Sequence, residues 1–254
     1  MKRIGAFCKK YWGTAVAILV IIVGYAIVTE NELIDGVLFP TISKIADAFA
    51  DHADEFPMNF AASMSLLIPS LIISITIALT VGVFLGMHKR LRDTFYPILY
   101  AISVVPSILL SPFALYLAPT FRAASIFMIV YSTTWPTLFA TITGIMTIDK
   151  RYLDNAATLC LSGPKRLVKV ILPAAMPSIL SGFVTSLRSS FLVLVFAEMY
   201  SAQFGMGYFV KKNSDFGLYA NTWAGFIFMV IVLVVIMQIF EVLKNKALSW
   251  TIDQ

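Results

Sequence analysis

Arg188 is the residue whose setting points most directly to chemistry. The stretch from Pro177 to Tyr200 is apolar and carries only one other charge, Glu198. A lone cation in the middle of a bilayer costs about 2.5–3.5 kcal/mol on insertion scales, so it turns toward a bundle interior or a wet cavity. Ser189 and Ser190 extend the polar patch. Two readings follow. The guanidinium lies on a solute path, where it favours an anion, or it bonds carbonyls at a helix end or on a neighbouring span. Glu198 lies ten residues further on, about 15 Å along a helix, so the two do not pair within one helix. Ser107 and Ser111, beside Pro106 and Pro112, could turn backbone carbonyls toward a cavity. The run Tyr131, Ser132, Thr133, Thr134 could supply hydroxyls. Serine, threonine and proline also serve ordinary helix packing. The candidate pathway set is therefore Arg188, Ser189, Ser107, Ser111, Tyr131, Thr134 and Glu198.

No other constellation competes. The sequence has no G-x-x-x-x-G-K-[ST] loop to hold ATP, no H-E-x-x-H, no Cys/His ligand cluster and no G-x-S-x-G. His52 and His88 fall in loops on opposite sides. Cys8 and Cys160 both fall on the predicted cytoplasmic side, where thiols stay reduced. Catalytic residues, metal and cofactor in this chain are therefore all read as none, and an enzyme reading has nothing to stand on.

The elements that must position these residues are membrane helices. Of 254 residues, 59% are hydrophobic and 13% charged, with mean hydropathy +0.86. Soluble domains carry about 25% charged residues. The net charge of +5 is split among short loops, which argues against nucleic acid as a partner. Six spans are predicted, at residues 11–29, 60–87, 95–117, 123–147, 177–200 and 223–242, with Pro97, Pro106 and Pro112 interrupting the third. Segments predicted cytoplasmic hold fourteen Lys/Arg and external ones four, so both termini face the cytoplasm. The fold class is an all-α, multi-pass membrane protein, one transmembrane domain over residues 1–254. An acidic outer segment at 30–55 carries a short amphipathic helix marked by Ile42, Ile45, Ala46 and Phe49, expected to lie along the membrane surface.

The cytoplasmic segment 149–176 is more than a connection. Lys150, Arg151, Lys165, Arg166 and Lys169 place it inside. Tyr152, Leu153, Ala156, Ala157 and Leu161 share one side of a short helix. Ser162-Gly163-Pro164 breaks it, and Pro164 can start a second helix, with Leu167, Val168 and Ile171 at helical spacing. A helix–turn–helix with an apolar stripe reads as a docking surface.

This segment resembles the EAA signature, E-A-A-x-x-x-G followed after nine residues by I-x-L-P, of permease subunits of bacterial ABC importers. Asp154 takes the Glu position, Asn155 and Ala156 the Ala positions, and Cys160 the Gly position. Val170, Leu172 and Pro173 take the I-x-L-P positions. The spacing is kept, while Asp154, Asn155, Cys160 and Val170 depart in identity. Cys160 matters most, because glycine allows a bend that cysteine resists, and Gly163 is expected to take over the turn. The order of the apolar spans, AEM at Ala197–Met199 and GMGYF at Gly205–Phe209 are most similar to the nitrate, sulfonate and taurine branch.

The resemblance implies a type I importer bundle in the bacterial inner membrane. It also implies a coupling helix involving Asp154, Asn155, Ala156, Cys160, Gly163, Leu172 and Pro173. The implied partners are two ATPase subunits holding ATP and Mg²⁺, a second and identical copy of this chain, an external solute-binding protein, and lipid. The implied cargo is a small solute such as an organic anion. The alternative is a secondary transporter driven by an ion gradient. Such transporters carry inverted repeats and intramembrane carboxylates; this chain shows no repeat, and Glu198 is its one off-centre candidate.

Overall fold

In the computed structural model, residues 2–249 are described, and among them every regular element is helical. Helix α1 (Lys2–Glu30) is followed by α2 (Ile42–Asp51), α3 (Glu55–Met87), α4 (Lys89–Ser103) and α5 (Ser111–Leu117). Then come α6 (Phe121–Met146), α7 (Lys150–Thr158), α8 (Gly163–Arg166), α9 (Leu172–Ser201), α10 (Met206–Asp215) and α11 (Tyr219–Ala247). Five helical stretches are long and apolar enough to cross a membrane, and six if the bent pair α4–α5 counts as one crossing.

The bundle is organised around α6, sandwiched between α3 and α9. Lipid gives apolar side chains no drive to cluster, so close helix approach through small residues and interhelical hydrogen bonds holds such seams. A Cβ at Gly82 would lie 2.8 Å from the Thr141 Cβ, and one at Gly182 2.3 Å from that of Ala140. Ser178 donates to the Ala140 carbonyl at 2.8 Å, and Ser186 donates to that of Thr133. With its proton committed there, Ser186 accepts from Thr137 at 2.8 Å. Leu67, Ile129, Leu187 and Leu194 fill the rest of this seam and are buried.

Of the three prolines expected to interrupt the span at 95–117, one breaks it. Its halves, α4 and α5 with the 3₁₀ turn Ser107–Leu110 before it, are bent by 78°. Pro97 sits inside α4 without breaking it, and Pro112 stands in the first turn of α5, where a missing N–H costs nothing. The break comes at Pro106, which is extended (ψ 130°) and pushes the preceding residue out of helix.

The outer end is closed by a second cluster, in which Ile45 and Ala48 of α2 pack on Phe56, Phe209 and Ala224. Phe56 stacks on Phe228, and the Trp223 indole donates to the Leu38 carbonyl at 3.0 Å. Helix α2 therefore rests on protein through Ile45, Ala48 and Phe49, while Ala46 is exposed. This corrects the stripe predicted for it.

Candidate functional site: the cytoplasmic segment and the polar residues of the spans

The cytoplasmic segment starts at a built cap. Asp149 Oδ1 accepts the Arg151 amide at 2.9 Å, and its Oδ2 accepts the Arg151 guanidinium at 2.8 and 3.0 Å. The side-chain bond to Arg151 leads in holding the Asp149 carboxyl below its usual range, and the same pair raises Arg151. The pair is fully exposed, so it fixes direction more than stability.

Helix α7 ends in a Schellman turn. The Leu161 amide reaches back to the Ala156 carbonyl at 2.9 Å, and the Cys160 amide to that of Ala157 at 3.0 Å. That geometry needs a left-handed residue at the position after the cap, and Cys160 takes it with φ +53°. The expectation that Gly163 would take over the turn is thus corrected. Cys160 makes the turn itself, and Gly163 makes its own left-handed bend at φ +53°. A residue with a Cβ is disfavoured there by about 1–2 kcal/mol. Cys160→Gly should relieve that strain, offset in part by glycine's freer unfolded chain. The net gain is about 0.5–1 kcal/mol, read as a roughly two- to fivefold slowing of hydrogen exchange at the Leu161 amide.

After the turn, Ser162 leads into α8, and a π-helical stretch, Leu167–Ile171, carries the chain into α9 without interruption. Ala156 and Ile171 are buried and anchor the segment. Tyr152, Leu159 and Val168 stay exposed, at 42%, 70% and 61%. Asp154 and Asn155 lie exposed beside them, while Leu172 and Pro173 are half-buried in the first turn of α9.

The polar residues proposed for a pathway do not gather at one point. Thr134 is buried and donates to the Val130 carbonyl at 2.7 Å. Tyr131 donates to the Ile102 carbonyl at 2.6 Å, across to the broken end of α4. Ser107 is buried, and Ser111 begins α5 half-exposed. Ser189 donates within its own helix, to Thr185 at 3.2 Å. Arg188 is exposed in a groove of about 510 Å³ between α9 and α11, bordered by Leu192, Val195, Met229, Leu233 and Met237.

Glu198 is elsewhere and fully buried. Its Oε2 accepts the Gly207 amide at 2.8 Å. The Gly205 amide donates to Asn59 Oδ1 at 3.0 Å, and that of Met206 to Ser63 Oγ at 2.9 Å. Three successive amides at the start of α10 are thus taken by α9 and α3, where a helix start leaves donors unpaired. A Cβ on Gly205 (φ +130°) would lie 2.5 Å from the Glu198 carboxyl carbon, so only glycine fits. The AEM and GMGYF stretches are one packed unit. Asn59 and Ser63 escaped the sequence reading; their one signal was two polar residues four apart in an apolar run.

Comparison with known proteins agrees with this architecture. Residues 74–246 match the family model described as binding-protein-dependent transport system inner membrane component. The permease SsuC of Bacillus subtilis (strain 168), named for aliphatic sulfonate transport, is 29% identical over 154 residues, 61% of this chain and 56% of its own. The nitrate import permease protein NrtB of Leptolyngbya laminosa is 32% identical over 114 residues, 45% of this chain and 41% of its own. The bicarbonate transport system permease protein CmpB of Synechococcus elongatus is 30% identical over 125 residues, covering 49% and 45%. The chain spans about half the length of the curated relatives it matches. In fold, it superposes on a solved structure of the MetNI methionine ABC transporter in an inward facing conformation. There the TM-score is 0.63 at 16% identity, over 78% of this chain and 98% of the other. The helical bundle, the spacing in its cytoplasmic segment and the family match over residues 74–246 make this chain a member of the binding-protein-dependent transport system inner membrane components, multi-pass permease components of ABC importers.

Proposed function

We propose that this chain is the transmembrane subunit of an ATP-driven importer and translocates a small solute, an organic anion or a nitrate-like ion. The observation that carries the reading is the cytoplasmic segment. Two short helices joined at a Schellman turn hold Tyr152, Leu159 and Val168 exposed, while Ala156 and Ile171 are buried. Exposed apolar side chains on a rigid cytoplasmic knob serve a protein partner better than water. In this reading the partner is a pair of ATPase subunits, which hold ATP and Mg²⁺. A second copy of the chain completes the path, and an external solute-binding protein docks over 30–56 and 201–222. ATP binding draws the ATPases together and moves the segment. The π-helical join to α9 passes that motion directly into the span carrying Arg188. The two resulting states must differ in affinity for the solute, since equal affinity shifts nothing. The solute class is supported by the relatives, named for sulfonate, nitrate and bicarbonate.

Affinity purification in mild detergent, followed by ATPase assay in liposomes, tests this. Wild type should retain a P-loop ATPase chain and hydrolyse ATP. Asp154→Lys, and a replacement of residues 162–170 by a polar linker, should lower capture by at least about tenfold, the loss of one good interface contact. Transport without any ATPase, unchanged in both variants, would sink the reading and favour an ion-gradient mechanism.

A further inference from the structure

Arg188 has no partner among the described residues. Among the described residues it makes no hydrogen bond, ion pair or ring contact. It sits near the middle of α9 (Leu172–Ser201). The nearer end of the helix is about 20 Å away, beyond the reach of a guanidinium that would snorkel to either surface. The walls beside it are Leu192, Val195, Met229 and Leu233, which offer neither charge nor acceptor. Lipid at this point would leave the cation uncompensated.

A second copy of the chain does not supply the missing charge. Copies related by an axis along the membrane normal carry the same residues at the same depths. Glu198 lies near the outer end of α9 and is fully buried on the start of α10. Glu241 lies about 12 Å toward the cytoplasm from Leu233 and pairs with Lys244 at 2.7 Å. Among the described residues, the other carboxylates belong to connections, to the short helices α2 and α7, or to the end turns of longer helices. What remains at this depth is water or a mobile anion. The same helix face carries Ser181 and Thr185, exposed and four residues apart, one turn before Arg188. Their hydroxyl face and the guanidinium make a wet strip down a span whose other exposed neighbour on that face is Leu192.

We propose that Arg188 is an anion-binding residue of the solute path, reading a small oxyanion such as a sulfonate, carboxylate or nitrate through its planar donor fork. Ser181 and Thr185 line the approach. This rests on the permease reading above and adds the residue that selects charge. Two copies place two such guanidiniums on one path, which repels cations along its whole middle.

The test uses full-length protein in membrane vesicles with Cys8 and Cys160 replaced by serine. A single cysteine is placed at Ser181 or Thr185 and treated with methanethiosulfonates bearing a sulfonate or a trimethylammonium group. Both reagents react only where water reaches. The sulfonate reagent should react faster than the cationic one by at least about tenfold relative to free cysteine, the focusing expected of a one-sign cleft. That preference should vanish in Arg188→Gln, persist in Arg188→Lys, and shrink as salt rises from 20 to 500 mM in the arginine form. The salt series needs no change at Arg188, so it decides even if Arg188→Gln fails to fold. No reaction at either cysteine would mean that lipid or a second copy seals this face, and would overturn the proposal. A preference indifferent to salt and to Arg188→Gln would overturn it too. The assay involves no ATPase, so its failure leaves ATPase capture by the cytoplasmic segment standing, and the reverse also holds.

Discussion

Gly182→Leu should eliminate folded protein, whereas Gly24→Leu should leave it intact. Both glycines lie in membrane helices, and hydropathy alone would rank both changes as favourable. They differ in what a side chain meets. At Gly182 the first carbon would already lie 2.3 Å from the Ala140 Cβ and 2.7 Å from the Pro136 carbonyl. One of those atoms is backbone, so α6 and α9 must separate. Separation breaks the Ser178 bond to the Ala140 carbonyl and the Thr137–Ser186–Thr133 relay. Gly144, packed so closely on α9 that a Cβ there would lie 2.8 Å from the Ser178 Cβ, loses its contact as well. Overpacking by single methylenes costs about 1–3 kcal/mol in a core, and here a whole side chain meets the seam on which the bundle is built. The expected result is loss of the monodisperse peak in size-exclusion chromatography after mild extraction. Gly24 has nothing within 4 Å of its would-be Cβ, and its variant should unfold within about 2 °C of wild type. A folded Gly182→Leu protein with an unshifted midpoint would mean that α6 and α9 do not approach as described.

That seam shows what a sequence reveals and what it hides. Long apolar runs were legible because a bilayer demands them: α3, α9 and α11 each contain a predicted one, and α6 covers all but residue 147 of another. The spacing of the cytoplasmic segment was legible because helix, turn and proline chemistry are local. The break in the third span was half legible. Three prolines marked it, but a proline in a first turn is harmless and one inside a helix can be accommodated, so only the structure singles out Pro106. The turn at Cys160 was misread for a related reason. The nearby glycine was the cheaper place to bend, yet the hydrogen bonds of Ala156 and Ala157 fix the left-handed residue at 160 whatever its identity. The partners of Glu198 were not legible at all. Its donor is the Gly207 amide, nine residues on, while Asn59 and Ser63 of α3 hold the neighbouring Gly205 and Met206 amides, and no periodicity links those positions. Arg188 stood out from the sequence for its charge. That the groove it borders toward α11 is otherwise lined by apolar side chains needed the packing of α9 against α11.

Glu198→Lys should be as damaging as the glycine change, and for an electrostatic reason. The carboxylate occupies the start of α10, where the Gly207 amide donates to it and the neighbouring Gly205 and Met206 amides are held by Asn59 and Ser63. A helix start carries partial positive charge. Lysine would bury an ammonium among donors, with no acceptor to face and the Gly207 amide unpaired. An uncompensated buried charge of this kind costs about 3–5 kcal/mol, enough to consume much of a domain's stability. Glu198→Gln keeps the size and one acceptor oxygen, so the Gly207 bond survives in neutral form and the loss should stay near 1–2 kcal/mol. Proteolysis of right-side-out vesicles separates the two cases. The outer segment around α10 should become cleavable in the lysine variant at temperatures where wild type and the glutamine variant resist. Gly205→Ala should reproduce the lysine phenotype in milder form, since its Cβ would press on the same carboxyl group at 2.5 Å and on a backbone held at φ +130°. Equal protease resistance in all four proteins would show that α10 is held by its aromatic contacts with Phe56 and His52 and that the carboxylate is a passenger.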